Sequence, residues 1–368
     1  MRIAILGGGN GCHAAAADLA AQGHEIRLWR RDAAALAPLL ETPRLTLVDH
    51  QGRREVDIAL ATADIGDAVR DAELIVAPLP AFAQDDLARA LAPHLRDGQV
   101  IYLPPGSFGS FTMARAVRAA GNEARVAFAE TGTLPYLARK HGPTEVAITI
   151  RATRLPTGVF PAVEHDHAMK VIGRAYPAIE PVEDALSAAL MNAGPIIHPP
   201  LILMNAGPLE HFERWDIHNE GTQPSIRRVT SALDAERIAI REALGYGAPH
   251  FPLSDHYEND RWMYGDAHQK LVDSGDWREN IDLLRHRYMR EDVACGLALL
   301  VSIADWAGVP CPVASGLLSI ASAVVGEPLD QGARTFGALG LNALDASALQ
   351  TLLRTGEGIT MTAATAAS

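Results

Sequence analysis

An α/β chain in two parts is predicted: an N-terminal doubly wound parallel sheet, then an all-α-helical second domain. Three observations predict it. Short β-branched apolar runs alternate with Ala-rich helical stretches through the first half. A glycine cluster, Gly7-Gly8-Gly9-Asn10-Gly11, stands between the first such run and the first helical stretch. From about Asp184 the strand signals fade and helical periods replace them. The expected domains are residues 1–183 and 184–368.

Each element has its own warrant. Residues 2–6, 25–29, 74–78, 100–103 and 125–129 read as strands, each flanked by Gly, Pro or a charge. Residues 14–21 are rich in helix-forming Ala, and Gly23 is a natural stop. Residues 146–151 and 168–175 are expected to complete the domain. In the second half, residues 224–244 carry Ile226, Val229, Leu233, Ile240 and Leu244 near one helical face, with Gly245 to end the helix. Residues 293–307 are apolar nearly all round and read as a buried helix. Residues 315–325 read as another, stopped by Gly326. The small, polar tail 360–368 is expected to fray. Leu-Met-Asn-Ala-Gly-Pro occurs at 190–195 and 203–208, too short an echo for a repeat architecture.

Composition excludes several functions. Hydrophobic residues make up 48% and charged residues 21%, which is globular. The net charge of −12 argues against a nucleic-acid partner. The lysines are Lys140, Lys170 and Lys270, and none follows Gly and precedes Ser or Thr, so there is no Walker A loop. Cys12, Cys295 and Cys311 are far apart and odd in number, which disfavours a disulfide framework or a cysteine zinc site. His165, Asp166 and His167 read as solvated loop, and His218, His256, His268 and His286 show no metal-ligand spacing; no metal is expected. The most apolar stretch, 293–304, is too short to span a bilayer, and Gly7 to Gly9 interrupt the N-terminal run that would otherwise suggest a signal peptide. A cytoplasmic protein with no membrane partner is expected, and a homodimer is allowed.

Gly7 and Gly9 fill the first two positions of G-x-G-x-x-G, with Cys12 at the third. The first glycine permits the tight turn, and the second lets backbone approach a pyrophosphate seated on the helix N-terminus. Asn10, Gly11 and Pro78, at the end of the 74–78 run, join the expected cofactor set. The end of the second strand selects the cofactor. Arg30 stands where an NAD site places an acid, and with Arg31 it suits a 2′-phosphate. NADPH is therefore expected, with NADH open through Asp32 if the strand ends later.

Several segments together resemble the opine dehydrogenase family, of the octopine and nopaline type. They are the glycine cluster, Pro105-Gly106-Ser107, Glu130-Thr131-Gly132-Thr133-Leu134-Pro135-Tyr136, Ile197-His198-Pro199, Asn219-Glu220-Gly221, Leu233-Asp234-Ala235-Glu236-Arg237 and Arg287-Tyr288-Met289-Arg290-Glu291-Asp292. The resemblance implies a Rossmann domain joined to a helical substrate domain. It also implies NAD(P)H-dependent reductive condensation of an amino acid with a 2-keto acid. It places the catalytic set at His198, Arg287 and Asp292, with Ser107 and Thr131 toward the keto acid and Glu130 toward the amino acid. The chain departs from the family pattern after Asp292, where Ala294 and Cys295 stand in place of Pro and an aromatic.

The chemistry of these residue types agrees. Arg grips a carboxylate bidentately, His moves a proton near neutral pH, and a carboxylate on its far ring nitrogen fixes the tautomer. In one uninterrupted α-helix, however, Arg287 and Asp292 point roughly 140° apart. They share a pocket only if the helix starts between them or the pocket wraps its end. Two rivals are kept: a ketopantoate reductase or glycerol-3-phosphate dehydrogenase type of reductase, which needs a catalytic lysine such as Lys170, and a non-catalytic NADPH-binding sensor.

Overall fold

The computed structural model describes residues 1–265, 270, 273 and 281–359; the expectations for His268 and for 360–368 fall outside them. The chain forms two compact units. The first comprises Met1–Leu79, Ala83–Ala189 and Leu353–Gly356, and the second Pro80–Phe82, Leu190–Leu352 and the segment from Glu357.

The first unit holds two sheets. The larger is built from β1 (Arg2–Leu6), β2 (Glu25–Trp29), β5 (Leu60–Thr62), β6 (Leu74–Val76), β7 (Val100–Leu103), β8 (Ala127–Thr131), β11 (Leu155–Phe160) and β12 (Ile179–Pro181). Their order is β12-β11-β8-β7-β6-β1-β2-β5. Ile3 pairs with Ile26 on one side and Leu74 on the other, all in parallel ladders. Parallel pairing and burial on both faces explain why β6 and β7 read as unbroken apolar runs, whereas β2 buries only Ile26 and Leu28 fully.

Two features differ from the sequence reading. The sheet is not wholly parallel, because β11 runs antiparallel to β8. Parallel neighbours need a long crossover, usually a helix; the chain between β8 and β11 instead makes two further strands. The second difference is the sheet those strands join. β3 (Arg44–Asp49), β4 (Gly52–Asp57), β9 (Tyr136–Lys140) and β10 (Glu145–Arg151) form a four-stranded sheet in the order β4-β3-β10-β9. Residues 146–151 are thus a strand, but of this sheet, and residues 168–175 lie mainly in the helix His165–Ile172.

Helix α1 (Asn10–Ala21) packs against strands of both sheets, and Cys12 to Leu19 are all buried. A helix covered on two sides has no solvated stripe, which is why four successive alanines, Ala14 to Ala17, suit it. An ionic cluster ties it to the smaller sheet. Asp18 accepts from Arg151 at 2.6 Å and from the Tyr136 hydroxyl at 3.0 Å, and Arg151 also donates to Asp49 at 2.6 Å.

The second unit is helical among the described residues. Pro224–Ala243 is one long helix, and Pro312–Val325 ends at Gly326 with φ +75°. The apolar stretch expected at 293–307 is divided: Tyr288–Leu297 is a π-helix and Ala298–Ala307 an α-helix. Two family-like motifs build this unit. Asp234 accepts from Arg237 at 2.6 Å and from the Leu253 N–H at 2.6 Å. Glu236 accepts the Val313 and Ala314 N–H groups, each at 2.8 Å, at the start of the Pro312–Val325 helix. Asn205 accepts from Trp215 Nε1 at 2.9 Å and donates to the Gly221 carbonyl at 3.1 Å. Among the described residues, the stretch nearest to a membrane span in length and composition is Ala185–Met204, whose most apolar window has mean hydropathy 1.3 and is 72% buried.

Candidate functional site

The glycine turn follows β1 and opens α1. Gly7 has φ +127°, and a Cβ there would stand 2.7 Å from Cys12 Sγ and from Leu79 Cδ2. Only glycine fits both the conformation and the space. At Gly9 a Cβ would meet nothing within 4 Å, and no side chain caps α1. Its first N–H groups therefore remain the kind of donors that hold a phosphate. Cys12 at the third motif position is buried, with Sγ 3.6 Å from the Leu6 carbonyl; burial pushes its thiol up to about 11. It acts as a small packing residue. Gly11 rests on Pro78, 3.2 Å from its Cβ position. The Asn10 carboxamide accepts the Lys140 N–H at 3.0 Å.

β2 ends at Trp29, the residue assigned from sequence. Asp32 caps helix α2 (Ala33–Glu41), accepting the Ala35 N–H at 3.0 Å. The aspartate that kept NADH open is thus a helix cap. Arg30 follows the strand directly, with Nη1 3.4 Å from the Ala35 carbonyl, and Arg31 is exposed.

Three further expected residues lie at the C-terminal ends of β7 and β8. Ser107 and Phe108 have φ of +52° and +62°, a conformation that bulky residues seldom adopt. Glu130 braces this turn: its Oε2 accepts the Phe108 N–H at 2.8 Å and its Oε1 the Ser110 hydroxyl. It is wholly buried, and both oxygens accept protein donors. The Thr131 hydroxyl donates to the Pro156 carbonyl at 2.8 Å.

The second unit brings the other three together. His198 lies in the helix Gly194–Met204, beside the π-helix. Two glycines permit the close approach. A Cβ at Gly194 would collide with Asp292, and one at Gly296 would collide with Pro195. The result is a 2.7 Å hydrogen bond between His198 Nδ1 and Asp292 Oδ2, the carboxylate 3% exposed and the histidine 17%. The π-helix answers the spacing problem. Its i→i+5 bonds bring residues five apart one above the other, so Arg287, its cap, and Asp292 lie on one side. Arg287 Nη2 is 3.0 Å from Glu291 Oε2, and 43% of its side chain reaches solvent.

Three residues here escaped the sequence reading. Tyr288 stacks on His198, ring centroids 3.6 Å apart at 11°. Its hydroxyl is 2.8 Å from His218 Nε2. Glu291 Oε1 accepts the Ala81 N–H at 3.1 Å. Burial, opposed by Arg287 and reinforced by Asp292, raises the Glu291 carboxyl above its ordinary 4.5. Tyr288 and Glu291 stand inside the quoted motif, so the sequence carries a signal for them; for His218 it offers only a test of metal-ligand spacing. Lys170, the lysine of the rival reductases, is exposed on the His165–Ile172 helix.

Comparisons with known proteins match two parts of the chain separately. Residues 181–325 match the model of the NAD/NADP octopine/nopaline dehydrogenase alpha-helical domain. Residues 2–104 match that of the NAD-dependent glycerol-3-phosphate dehydrogenase N-terminus. An opine dehydrogenase from Arthrobacter sp. (strain 1C) is 29% identical over 357 residues, 94% of this chain and 97% of that protein. Octopine dehydrogenase, solved with NADH and L-arginine, superposes with a TM-score of 0.69 at 19% identity, covering 93% of this chain and 98% of its own. Yersinopine dehydrogenase with NADP+ bound gives 0.67 at 16% identity, covering 96% and 98%. At such identities these structures speak for the fold.

Proposed function

We propose, for a chain that belongs to the opine dehydrogenase family, that it condenses an amino acid or other amine with a 2-keto acid such as pyruvate. An imine forms and is reduced at the expense of NAD(P)H to an N-(1-carboxyalkyl) amino acid. The observation that carries this reading is the 2.7 Å His198–Asp292 bond with Arg287 one π-turn away.

The roles follow from the donor and acceptor inventory. With Nδ1 on Asp292, His198 is held as the tautomer whose Nε2 accepts a proton. That nitrogen takes the proton the attacking amine sheds and returns one to the carbonyl oxygen that leaves as water. Asp292 steadies the imidazolium formed in between. The Tyr288 ring keeps the imidazole plane fixed. Arg287 keeps part of its fork in solvent after pairing with Glu291, and that part suits the keto acid carboxylate.

Gly7, Gly9, Asn10, Gly11, Cys12, Pro78, Arg30 and Arg31 would hold the dinucleotide, and the open space at Gly9 with the uncapped α1 turn fits a pyrophosphate. When bound, the cofactor supplies the hydride that reduces the imine carbon. NADPH is favoured over NADH, because Arg30 follows β2 and Asp32 is engaged as a helix cap.

The test is a matrix of amines against pyruvate, glyoxylate and 2-oxoglutarate, followed at the nicotinamide absorbance. Relatives solved with L-arginine and with pyruvate name the classes to try first. Oxidation of NADPH that requires both an amine and a keto acid is expected. Oxidation with the keto acid alone would instead make the protein a hydroxy-acid reductase.

A further inference from the structure

Two cations from different sheets meet at one glycine. Arg30, leaving β2, lies against Gly8: a Cβ there would stand 2.7 Å from Arg30 Cδ and Nε and 2.9 Å from Cζ. Lys140, the last residue of β9, donates from Nζ to the Gly8 carbonyl at 3.2 Å. Its strand is fixed by the main chain, through the Lys140 N–H on Asn10 Oδ1. His13 closes the same edge, with Nε2 3.1 Å from the Pro143 carbonyl.

The charges around Lys140 are unbalanced. Burial and the Arg30 guanidinium lower its pKa, the Cys12 thiol opposes them, and Lys140 in turn lowers that of His13. Among the described residues no carboxylate acts on Lys140, and Asp32, the acid nearest Arg30 in sequence, faces the Ala35 N–H. Two half-buried cations on one turn repel each other unless an anion lies between them. The pyrophosphate has its own place, on the uncapped N–H groups beyond Gly9. Gly8 faces the end of β2, where the fold reads the ribose 2′ position.

We propose that Lys140 and Arg30 form a two-pronged clamp for the 2′-phosphate of NADP(H), Arg30 presenting its planar fork and Lys140 a point charge. This assignment rests on the NADPH reading above, and it makes Lys140 a specificity residue of the cofactor site.

Calorimetric titration of the full chain with 2′,5′-ADP and 5′-AMP isolates the question, because the two ligands differ only in the 2′-phosphate. Lys140→Met is expected to weaken 2′,5′-ADP about tenfold while moving 5′-AMP by less than about twofold. The effect should shrink in high salt, since Lys140 is partly exposed. Lys140→Arg keeps the charge and should keep most of the preference, which separates lost charge from lost folding. Equal weakening of both ligands by Lys140→Met would move Lys140 to the shared phosphate and overturn the clamp, as would no change in either. Native protein that binds the two ligands equally would overturn the NADPH reading itself, before any variant is made.

Discussion

The glycine turn of the first unit and the π-helix of the second are built on opposite electrostatics. At the turn, Arg30 and Lys140 converge on Gly8 beside an uncapped helix N-terminus, and the local aspartate is used elsewhere. On the π-helix, Glu291 and Asp292 are nearly fully buried beside one arginine and one histidine. The first arrangement suits an anion that arrives with its charge. The second suits a proton that comes and goes, because the histidine has a carboxylate to steady its charged form.

Each unit also holds a buried or half-buried histidine, and these differ in the same sense. His13 has carbonyl oxygens 3.1 Å from both ring nitrogens. Burial, aided by Lys140, nevertheless pulls it down to about 4. It is a neutral clip. His198 has Asp292 on one nitrogen and is free to use the other in chemistry.

Breaking the acid-rich site should have the largest effect. His198→Ala should lower turnover by about 10²–10⁴ while NADPH binding, measured by fluorescence titration, survives. Adding Asp292→Asn to it should cost little more, since groups acting as one unit are not additive. Near-native turnover in His198→Ala would end the proton-transfer assignment.

Arg287→Ala should come next and act differently. Loss of a charge-assisted carboxylate contact predicts a rise of about 10- to 100-fold in the KM for the keto acid, with a smaller rise for the amine. Steady-state kinetics with each substrate varied in turn would show it. An equal rise for both would mean that Arg287 supports the fold of the site rather than the keto acid.

The smallest effect sharpens the histidine comparison. Below pH 6.5 the unfolded chain protonates its His13, whereas the native chain resists until about 4. Stability is therefore full above 6.5 and falls as pH drops toward 4, by up to about 3 kcal/mol from this residue. Thermal melts of the native protein and His13→Gln across that window should converge on acidification. Parallel curves would show that His13 titrates alike in the native and unfolded states and would end the neutral-clip assignment.

The sequence by itself determined what depends on neighbours in the chain. β1, β2 and β7 were legible to the residue: β1 and β7 because buried parallel strands are continuous apolar runs, β2 because Ile26 and Leu28 alternate with the half-buried Glu25, Arg27 and Trp29. The glycine turn was legible because a tight turn before a helix demands glycine at Gly7. His198, Arg287 and Asp292 were legible through short motifs, though their meeting was not. Tertiary structure decided what depends on chain segments far apart. The smaller sheet pairs β3 with β10, about a hundred residues on, and the alternation of Leu45 and Leu47 hints at a strand but names no partner. Nothing near Lys140 in the chain points to the glycine turn; β9 carries it to Gly8, 132 residues away in sequence. The angle between Arg287 and Asp292 turned on helix type. An α-helix and a π-helix are written in the same residues, and the choice between them was made where the chain packs, at Gly194 and Gly296.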